Sequence, residues 1–213
     1  MRLRKVKNAL EKLNTNNSYF INNPIDYKGK WNTLFNNDNP IHIEIGCGKG
    51  QFITTLAKSN PNINYIAIEK FDSVLLRCLE KAMLDDIPNL HLVLMDALEI
   101  RNYFNEEEVS RIYLNFSDPW PKNAHSKRRL TSPLFLDAYK VILKNDGELF
   151  QKTDNRNLFE YSLEAFNAHG WMLSNISLDL HKDIEKYPDN IQTEFEEKWS
   201  KLGPIYRLEA KKK

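Results

Sequence analysis

The segment Ile41–Gly50, with the sequence IHIEIGCGKG, constrains the fold of this chain more than any other segment. Isoleucines at alternate positions predict a short buried strand, because β-branched side chains pack well on a pleated sheet. Glycine permits the tight turn and the close backbone approach that a bound ligand needs. Three glycines of this kind follow the isoleucines: Gly46, Gly48 and Gly50. The segment therefore predicts a strand that ends in a ligand-binding loop.

The spacing of these glycines favours S-adenosylmethionine over a dinucleotide. A nicotinamide-binding loop usually reads G-x-G-x-x-G, with the third glycine one place later and the pyrophosphate at a helix N-terminus. Here the pattern is E-x-G-x-G-x-G, and Glu44 stands where a carboxylate could receive the ammonium group of an amino-acid-like cofactor. The alternative is a glycine-rich turn between a strand and a helix that binds nothing, since such turns are common.

Length and composition favour one α/β domain of ordinary charge. The 213 residues, 41% of them hydrophobic, suffice for one domain with a substantial core. No apolar segment follows the charged N-terminus and the longest apolar runs have strand length, so we expect neither a secretion signal nor a membrane span. Cys47 and Cys78 lack metal-ligand spacing, so we expect reduced thiols, a cytoplasmic protein and no metal site. The net charge of +1 argues against a uniformly basic nucleic-acid binder, so local patches must provide any such contact.

Strands and helices alternate after the glycine loop. Periodicity predicts strands at INYIAIE, LHLVLMD and RIYLNFSD, and helices at QFITTLAKSN, DSVLLRCLEKAMLDD and PLFLDAYKVILK. We expect a fifth strand, GELFQKTD, after a turn at 145–147, and a helix over Asn155–His169. WMLSNISLDL and PIYRLEA are expected as two antiparallel strands at one edge, with a short helix near Thr193–Leu202 between them. The pattern predicts a doubly wound α/β sheet, in which ligands bind beyond the carboxyl ends of the strands.

Acidic residues stand at or just past four predicted strand ends: Glu44, Glu69, Asp96 and Asp118. Glu69 lies 23 residues after Gly46, near the offset of roughly 20 residues at which a carboxylate meets ribose hydroxyls, so we predict that it binds the ribose. Asp96 could accept a hydrogen bond from the adenine amino group. Each carboxylate alone could instead be solvated or cap a helix. Four of them at successive strand ends favour a cofactor site.

The segment NFSDPWPK at 115–122 predicts a rigid loop after the fourth strand. Pro119 and Pro121 flank Trp120 and leave the backbone after Asp118 little freedom. A fixed carboxylate beside an aromatic plane suits a flat base, which can stack on the ring and donate hydrogen bonds to the carboxylate. For Trp120 alone, a proline-rich turn with a core tryptophan is the favoured alternative; for Asp118 a functional role is favoured.

A basic run follows this loop: Lys122, His125, Lys127, Arg128 and Arg129. Basic side chains beside a methyl-donor pocket indicate an anionic substrate, for which RNA is the natural candidate, because phosphate contacts supply affinity without reading sequence. The alternative is a solvated basic face. The N-terminal RLRKVK and the terminal KKK are weaker candidates for further phosphate contacts.

Five motifs together resemble the bacterial tRNA (guanine-N7)-methyltransferase family: EIGCGKG, YLNFSDPWPK, HSKRRL, KTDN and TEFEEK. The resemblance covers nearly the whole chain. It implies a class I S-adenosylmethionine-dependent methyltransferase fold, with a mostly parallel seven-stranded sheet and helices on both faces. It implies one methyltransferase domain over 1–213 with a basic N-terminal extension at about 1–30, S-adenosyl-L-methionine as cofactor, tRNA as partner, and methylation at N7 of guanine 46 in the variable loop.

The resemblance also implies roles for individual residues. Together with the glycine loop, it places the cofactor contacts on Glu44, Glu69, Asp96 and Asp118, with Asp118 also as the catalytic residue. It places the substrate contacts on Lys122, Asp154, Ile191, Gln192, Thr193 and Glu194. It places the RNA-contacting loop on Ala124, His125, Ser126, Lys127, Arg128 and Arg129. Many relatives look more basic directly after DPWPK, whereas this chain has Asn123 and Ala124 there.

Methylation at guanine N7 requires alignment of the reactants rather than a general base. N7 carries a lone pair and no proton, so we expect Asp118 to orient the purine and to stabilise its developing positive charge. Two other functions stay open at this point. DPWP is also similar to the D-P-P-Y motif of amino-group methyltransferases, so an enzyme of that class is the leading alternative. The identity of the substrate that receives the methyl group separates the two functions. The intact glycine loop and the acidic residues at the strand ends argue against a non-catalytic RNA-binding protein with a vestigial cofactor site, and binding of S-adenosylmethionine would exclude it. We expect no obligatory protein partner and either a monomer or a homodimer.

Overall fold

The computed structural model describes residues 5–15 and 18–212. The N-terminal and C-terminal basic segments that were predicted to contact RNA, and the predicted extension at about 1–30, therefore lie partly outside the described residues, at 1–4, 16, 17 and 213. Within the described ranges, every helix is too short or too polar to cross a membrane.

The chain forms two compact units, which divide after Asn105. The strands of the first unit are β1 (Ile41–Ile45), β2 (Asn64–Glu69) and β3 (Leu90–Leu94). Its helices are α1 (Ala9–Asn14), α2 (Asn32–Phe35), α3 (Gln51–Ser59), α4 (Asp72–Leu84) and α5 (Ile100–Tyr103). Short 3-10 helices cover Pro24–Tyr27 and Ala97–Glu99.

The second unit begins at Glu106. Its strands are β4 (Val109–Asn115), β5 (Leu143–Thr153), β6 (Trp171–Ser177) and β7 (Tyr206–Lys212). Its helices are α6 (Pro133–Ile142), α7 (Arg156–Ala168) and α8 (Glu194–Trp199), and 3-10 helices cover Asn123–Arg128 and Ile184–Lys186. The prediction of one domain over 1–213 stays a prediction.

The strands belong to a seven-stranded, mostly parallel sheet. In the first unit they follow the order β3-β2-β1, and both neighbouring pairs are parallel. In the second unit the order is β4-β5-β7-β6, where β4 and β5 are parallel and β7 is antiparallel to both β5 and β6. The predicted α/β fold and the predicted antiparallel final strands are confirmed.

Strands β1 and β2 are buried along their whole length, as expected for parallel strands covered on both faces. Asn64, one of the buried polar residues of these strands, donates its side-chain amide to Asn37 Oδ1 at 2.9 Å and to Asn39 O at 3.3 Å. The apolar runs of this half therefore form its core, and the chain leaves the core at the carboxyl ends of β1 and β2.

The predicted helices of the second half are confirmed, and two of them begin with a side-chain cap. Asn155 caps α7, because its Oδ1 accepts a hydrogen bond from Leu158 N–H at 2.8 Å. The short helix predicted near Thr193–Leu202 is α8, and Thr193 caps it by accepting from Glu196 N–H at 3.0 Å. Both caps satisfy backbone donors that a helix leaves without partners in its first turn.

The prediction of a turn at 145–147 before the fifth strand is wrong, because β5 already begins at Leu143. Val109 of β4 pairs with Leu143, whereas the next pair is Arg111 with Glu148. Residues 144–147 therefore face a single residue of β4 and form an irregular bulge. Gly147 fits there because a Cβ at this position would lie 2.9 Å from Lys144 O.

Candidate functional site

The glycine loop follows β1 and is fixed to the end of β2. Gly46 N–H and Cys47 N–H both donate to Ile68 O, at 2.8 and 3.0 Å. Gly46 and Gly48 have φ of +79° and +58°, a left-handed conformation that only glycine adopts without steric cost. The loop thus needs glycine at both positions to follow its path.

The same loop leaves open space beside two of its glycines. A Cβ built at Gly46 or at Gly48 meets no atom of the described residues within 4 Å. Gly50 differs, because a Cβ there would collide with Cys78 of α4. The first two glycines therefore suit a ligand that approaches the backbone, and the structure gives Gly50 a role in packing the loop against α4.

Glu69 ends β2 and turns its carboxylate toward this loop. Its Oε2 accepts from Gly48 N–H at 3.3 Å, and its Oε1 accepts from Lys70 N–H at 2.8 Å and Phe71 N–H at 3.2 Å. The residue is only 8% exposed. Burial raises the pKa of the Glu69 carboxyl above its ordinary value, although the three backbone donors oppose this shift. Because each carboxylate oxygen accepts more than one hydrogen bond, the group can still receive ligand hydroxyls.

Glu44 and Glu69 lie near the same thiol. Cys47 is buried in the loop, and the pKa of its thiol is raised by a hydrogen bond with Cys78, by burial and by the negative charges of Glu44 and Glu69. Both cysteines are free thiols. Glu44 itself is 1% exposed within β1. The structure therefore brings two of the predicted cofactor carboxylates to the glycine loop.

Asp96 has a local role at the end of β3. It is exposed, and its Oδ1 accepts from Leu98 N–H at 3.0 Å, which caps the 3-10 helix Ala97–Glu99. Capping is the alternative that the sequence offered for a lone carboxylate. The second oxygen of Asp96 can accept a further hydrogen bond, and its contact with adenine stays a prediction.

In the second unit, Asp118 lies between two residues with left-handed backbone. Phe116 has φ of +52° and Trp120 has φ of +40°. Such a conformation costs a residue with a side chain on the order of 1–3 kcal/mol, so surrounding contacts must hold it. On one side, Phe116 N–H donates to Lys152 O of β5 at 2.8 Å. The exposed carboxylate of Asp118 thus stands on a constrained loop.

Arg129 holds the other side of the loop. Its Nε donates to Pro119 O at 3.1 Å, and its Nη2 donates to Trp120 O at 3.0 Å. The guanidinium also lies 4.3 Å from the ring centroid of Tyr161 on α7, and Arg129 is only 8% exposed. Sequence reasoning placed this residue among the RNA contacts. The structure places it inside the unit, where it binds backbone carbonyls of the Asp118 loop.

The rest of the basic run lies at the surface. Lys122, Ala124, Lys127 and Arg128 are exposed, and His125 and Ser126 are half-buried. The Arg128 guanidinium lies 4.8 Å from the Trp120 ring, and His125 meets the same ring edge-on at 5.7 Å. Trp120 is half-buried, so the alternative of a core tryptophan is wrong. Its ring instead supports the basic loop.

Asp154 and the segment Ile191–Glu194 belong to the same end of the second unit. Asn115 pairs with Lys152 in the parallel strands β4 and β5, so the loops that carry Asp118 and Asp154 leave the same edge of the sheet. Lys152 Nζ donates to Ile191 O at 2.8 Å. This contact ties the predicted substrate-binding segment to β5.

A buried ion pair strengthens this tie. Lys152 Nζ lies 2.5 Å from Glu196 Oε2 and also donates to Asn190 Oδ1 at 3.1 Å. Glu196 is fully buried, and its Oε1 lies 2.9 Å from Asn190 Nδ2 and 3.1 Å from His181 Nε2. Sequence reasoning did not identify Lys152, His181 or Glu196. Only the KTDN and TEFEEK motifs, of which Lys152 and Glu196 are part, marked this region.

The family match and the similar proteins both indicate a methyltransferase. Residues 38–208 match a family described as "Putative methyltransferase". The tRNA (guanine-N(7)-)-methyltransferase of Listeria monocytogenes serovar 1/2a is 54% identical over 212 residues, which cover 99% of this chain and 98% of the relative. The protein of the same name from Streptococcus gordonii is 53% identical over 211 residues, with 99% of each chain covered. A third, from Geobacillus sp. strain WCH70, is 52% identical and covers 99% of this chain and 96% of its own.

Solved structures with low sequence identity share the fold. A 30S ribosomal A1408 methyltransferase from an uncultured bacterium has a TM-score of 0.59 and 17% identity, covering 87% of this chain and 93% of its own. The 16S rRNA methyltransferase KamB has a TM-score of 0.61 and 12% identity, covering 98% and 94% of the two chains. At these identities the similarity concerns the fold.

Glu69→Ala is expected to weaken binding of S-adenosylmethionine, because the predicted ribose contact loses both carboxylate oxygens. Hydrogen bonds to a charged group are worth about 1.5–3 kcal/mol, and calorimetry with the cofactor alone measures the loss. The control is Glu80→Ala, since Glu80 is exposed on α4 and pairs only with Arg77 at 2.7 Å among the contacts described. Wild-type affinity in a folded Glu69→Ala protein would show that Glu69 only binds the backbone of the loop.

Arg129→Ala is expected to slow methyl transfer without changing the salt dependence of tRNA binding. Its guanidinium holds the Asp118 loop rather than phosphate, and a misplaced catalytic group can cost on the order of 10²-fold in rate. Single-turnover kinetics and a salt titration measure the two effects separately.

The matched control for this test is Arg128→Ala, which removes an exposed arginine from the same run. Loss of one phosphate contact lowers the magnitude of the log–log salt slope by roughly 0.7 on a single strand and by roughly 0.9 on a B-form duplex. If both variants change the salt slope equally and Arg129→Ala leaves the rate unchanged, Arg129 contacts RNA and does not hold the Asp118 loop.

Proposed function

The chain belongs to the bacterial tRNA (guanine-N(7)-)-methyltransferase family, and from this premise we propose that it methylates N7 of guanine 46 in the tRNA variable loop to give 7-methylguanosine. Family membership makes it an enzyme with S-adenosyl-L-methionine as cofactor and tRNA as substrate. The choice of position 46 rests on the resemblance of its five motifs to this family. The observation that carries the proposed chemistry is the exposed Asp118 carboxylate on a loop that hydrogen bonds hold from both sides.

We assign cofactor binding to the glycine loop and to the carboxylates at the strand ends of the first unit. The open space beside Gly46 and Gly48 supports this assignment, as does the position of the Glu69 carboxylate next to Gly48. In this proposal Glu69 accepts from the ribose hydroxyls and Asp96 from the adenine amino group. The remaining proposed contacts are Glu44, Gly50 and Asp118.

S-adenosyl-L-methionine supplies a methyl group activated by a positively charged sulfonium. The residues of the second unit then have two tasks, to orient the guanine and to stabilise the positive charge that its ring acquires. In our proposal Asp118, Asp154 and Glu194 accept hydrogen bonds from the guanine N1–H and amino group, and their negative charge stabilises the product-like purine. No residue has to remove a proton from N7, so Asp118 is catalytic through position and charge.

Phosphate binding is assigned to exposed basic side chains near the Asp118 loop. Lys122, Lys127 and Arg128 are exposed and can reach RNA without breaking an internal contact of the Asp118 backbone. Asn123 and Ala124 carry no charge, so we expect no ionic phosphate contact from these two positions. Such contacts would position the tRNA without reading its sequence.

We further propose that the enzyme works in the cytoplasm without an obligatory protein partner. Its substrate tRNA and its two free thiols support a reducing compartment where tRNA is present. A methylation assay with the purified chain alone tests whether a partner is required.

The proposed function is tested by incubating the protein with labelled S-adenosyl-L-methionine and an unmodified tRNA transcript, followed by nucleoside analysis. The expected product is 7-methylguanosine, and a transcript with adenosine in place of guanine 46 should receive no label. Label in a methylated exocyclic amine would instead identify an amino-group methyltransferase. Binding of tRNA without binding of S-adenosyl-L-methionine and without any transfer would identify a non-catalytic RNA-binding protein.

Asp118→Asn is expected to reduce the single-turnover rate far more than it reduces cofactor affinity, because the charge on the purine develops fully only in the transition state. Loss of one preorganised electrostatic group typically costs about 10²- to 10³-fold in rate. Asp137→Asn is the matched control, since Asp137 is an exposed aspartate of α6. Wild-type methyl transfer by a folded Asp118→Asn protein would reject the catalytic role.

A further inference from the structure

Three aromatic rings form a partly exposed surface in the second unit, which we call the aromatic surface: Phe116, Phe195 and Trp199. The Phe195 ring centroid lies 4.9 Å from that of Phe116 and 5.5 Å from that of Trp199, at interplanar angles of 40° and 28°. Phe195 is 40% exposed. The other two rings are half-buried and pack against Phe195.

Residues other than Phe195 attach α8 to the rest of the unit. Phe195 and Trp199 are four residues apart and so lie on one face of the helix. Glu196, on a different face, is fully buried and bonded to Lys152. Thr193 is also buried and caps the helix. Because this polar network anchors α8, the ring of Phe195 is left to face the surface.

The aromatic surface stands among the proposed guanine contacts. Phe116 precedes Asp118 by two residues, and Phe195 directly follows Glu194. The segments that carry the two rings are both fixed to one residue, because Lys152 O accepts from Phe116 N–H and Lys152 Nζ donates to Ile191 O. The spacing of the rings is therefore set by protein contacts before RNA binds.

We propose that the aromatic surface, with Phe195 at its centre, stacks against the unpaired target guanine. This inference rests on the proposed function and adds a binding contact to it. A base offers a flat π face and an edge with hydrogen-bond donors. Phe195 matches the face, and the carboxylates of Asp118 and Glu194 match the N1–H and amino donors on the edge of guanine. Adenine has no N1–H, so the same carboxylates select guanine while the ring holds its plane.

Phe195→Ala tests the stacking contact. Removing an aromatic ring that stacks on a base is expected to lower kcat/KM for tRNA by roughly 5- to 150-fold. Phe195→Trp should retain activity because it restores a ring, whereas Phe195→Leu should behave like the alanine variant because it restores only apolar volume. Cofactor affinity and thermal unfolding of each variant report whether the fold is intact. The control is Leu134→Ala, since Leu134 is an exposed apolar residue of α6.

A coupling measurement shows whether the ring meets the target base itself. Wild-type protein and Phe195→Ala are each titrated with tRNA that carries either guanine or an abasic site at the target position. Stacking predicts that wild type loses affinity for the abasic tRNA and that Phe195→Ala shows little further loss. Equal losses in both proteins would overturn the proposal, as would full activity of Phe195→Leu.

The outcome for the proposed function is read separately, from 7-methylguanosine formation by the wild-type protein. If wild type forms 7-methylguanosine and the coupling is absent, the stacking contact is wrong and the proposed function stands. If wild type methylates a different nucleoside, the proposed function fails, and with it the stacking of guanine.

Discussion

The buried ion pair between Lys152 and Glu196 joins the segments of the second unit that carry the proposed guanine contacts. The side chains of both residues are almost fully buried, and burial of charge costs several kcal/mol unless every donor and acceptor finds a partner. The ammonium group has three donors, and among the described residues Asn190, Ile191 and Glu196 each offer it an acceptor. Because a buried ammonium group must keep its hydrogen-bond acceptors in place, the ion pair fixes the position of the segment before α8.

The same end of the unit also holds Asp118 in a backbone conformation that it would not adopt alone. Phe116 and Trp120, on either side, both have left-handed φ. Lys152 O and the Arg129 guanidinium supply the hydrogen bonds that offset this cost. This arrangement suits a reaction at guanine N7, where no proton has to be removed and alignment is the main demand. A loop shaped in advance does not have to be ordered when the base arrives.

Part of the fold and of the site could be predicted because the relevant signals are local. Alternating isoleucines and glycines located β1 and its loop, and the spacing from Gly46 to Glu69 predicted a carboxylate beside that loop, where the structure places it. The bulge at 144–147 was missed because Asn-Asp-Gly is a strong turn signal in isolation. Its pairing with β4 depends on a distant strand.

The internal contacts of the second unit could not be predicted for a similar reason. A run of lysines and arginines looks the same in sequence whether a side chain points to solvent or to a backbone carbonyl, and Arg129 differs from Arg128 only in its tertiary surroundings. The partners of Lys152 lie about 40 residues away along the chain and carry no spacing rule. The exposed ring of Phe195 likewise gives no periodic signal that separates it from a core residue.

The central claim, that the loop carrying Asp118 is shaped before tRNA binds, is tested most directly by hydrogen exchange at the amide of Phe116. This amide donates to Lys152 O at 2.8 Å, so the account predicts slow exchange in the tRNA-free protein and little change when tRNA is added. Exchange as fast as in an unprotected peptide, which slows only after tRNA binds, would contradict the account.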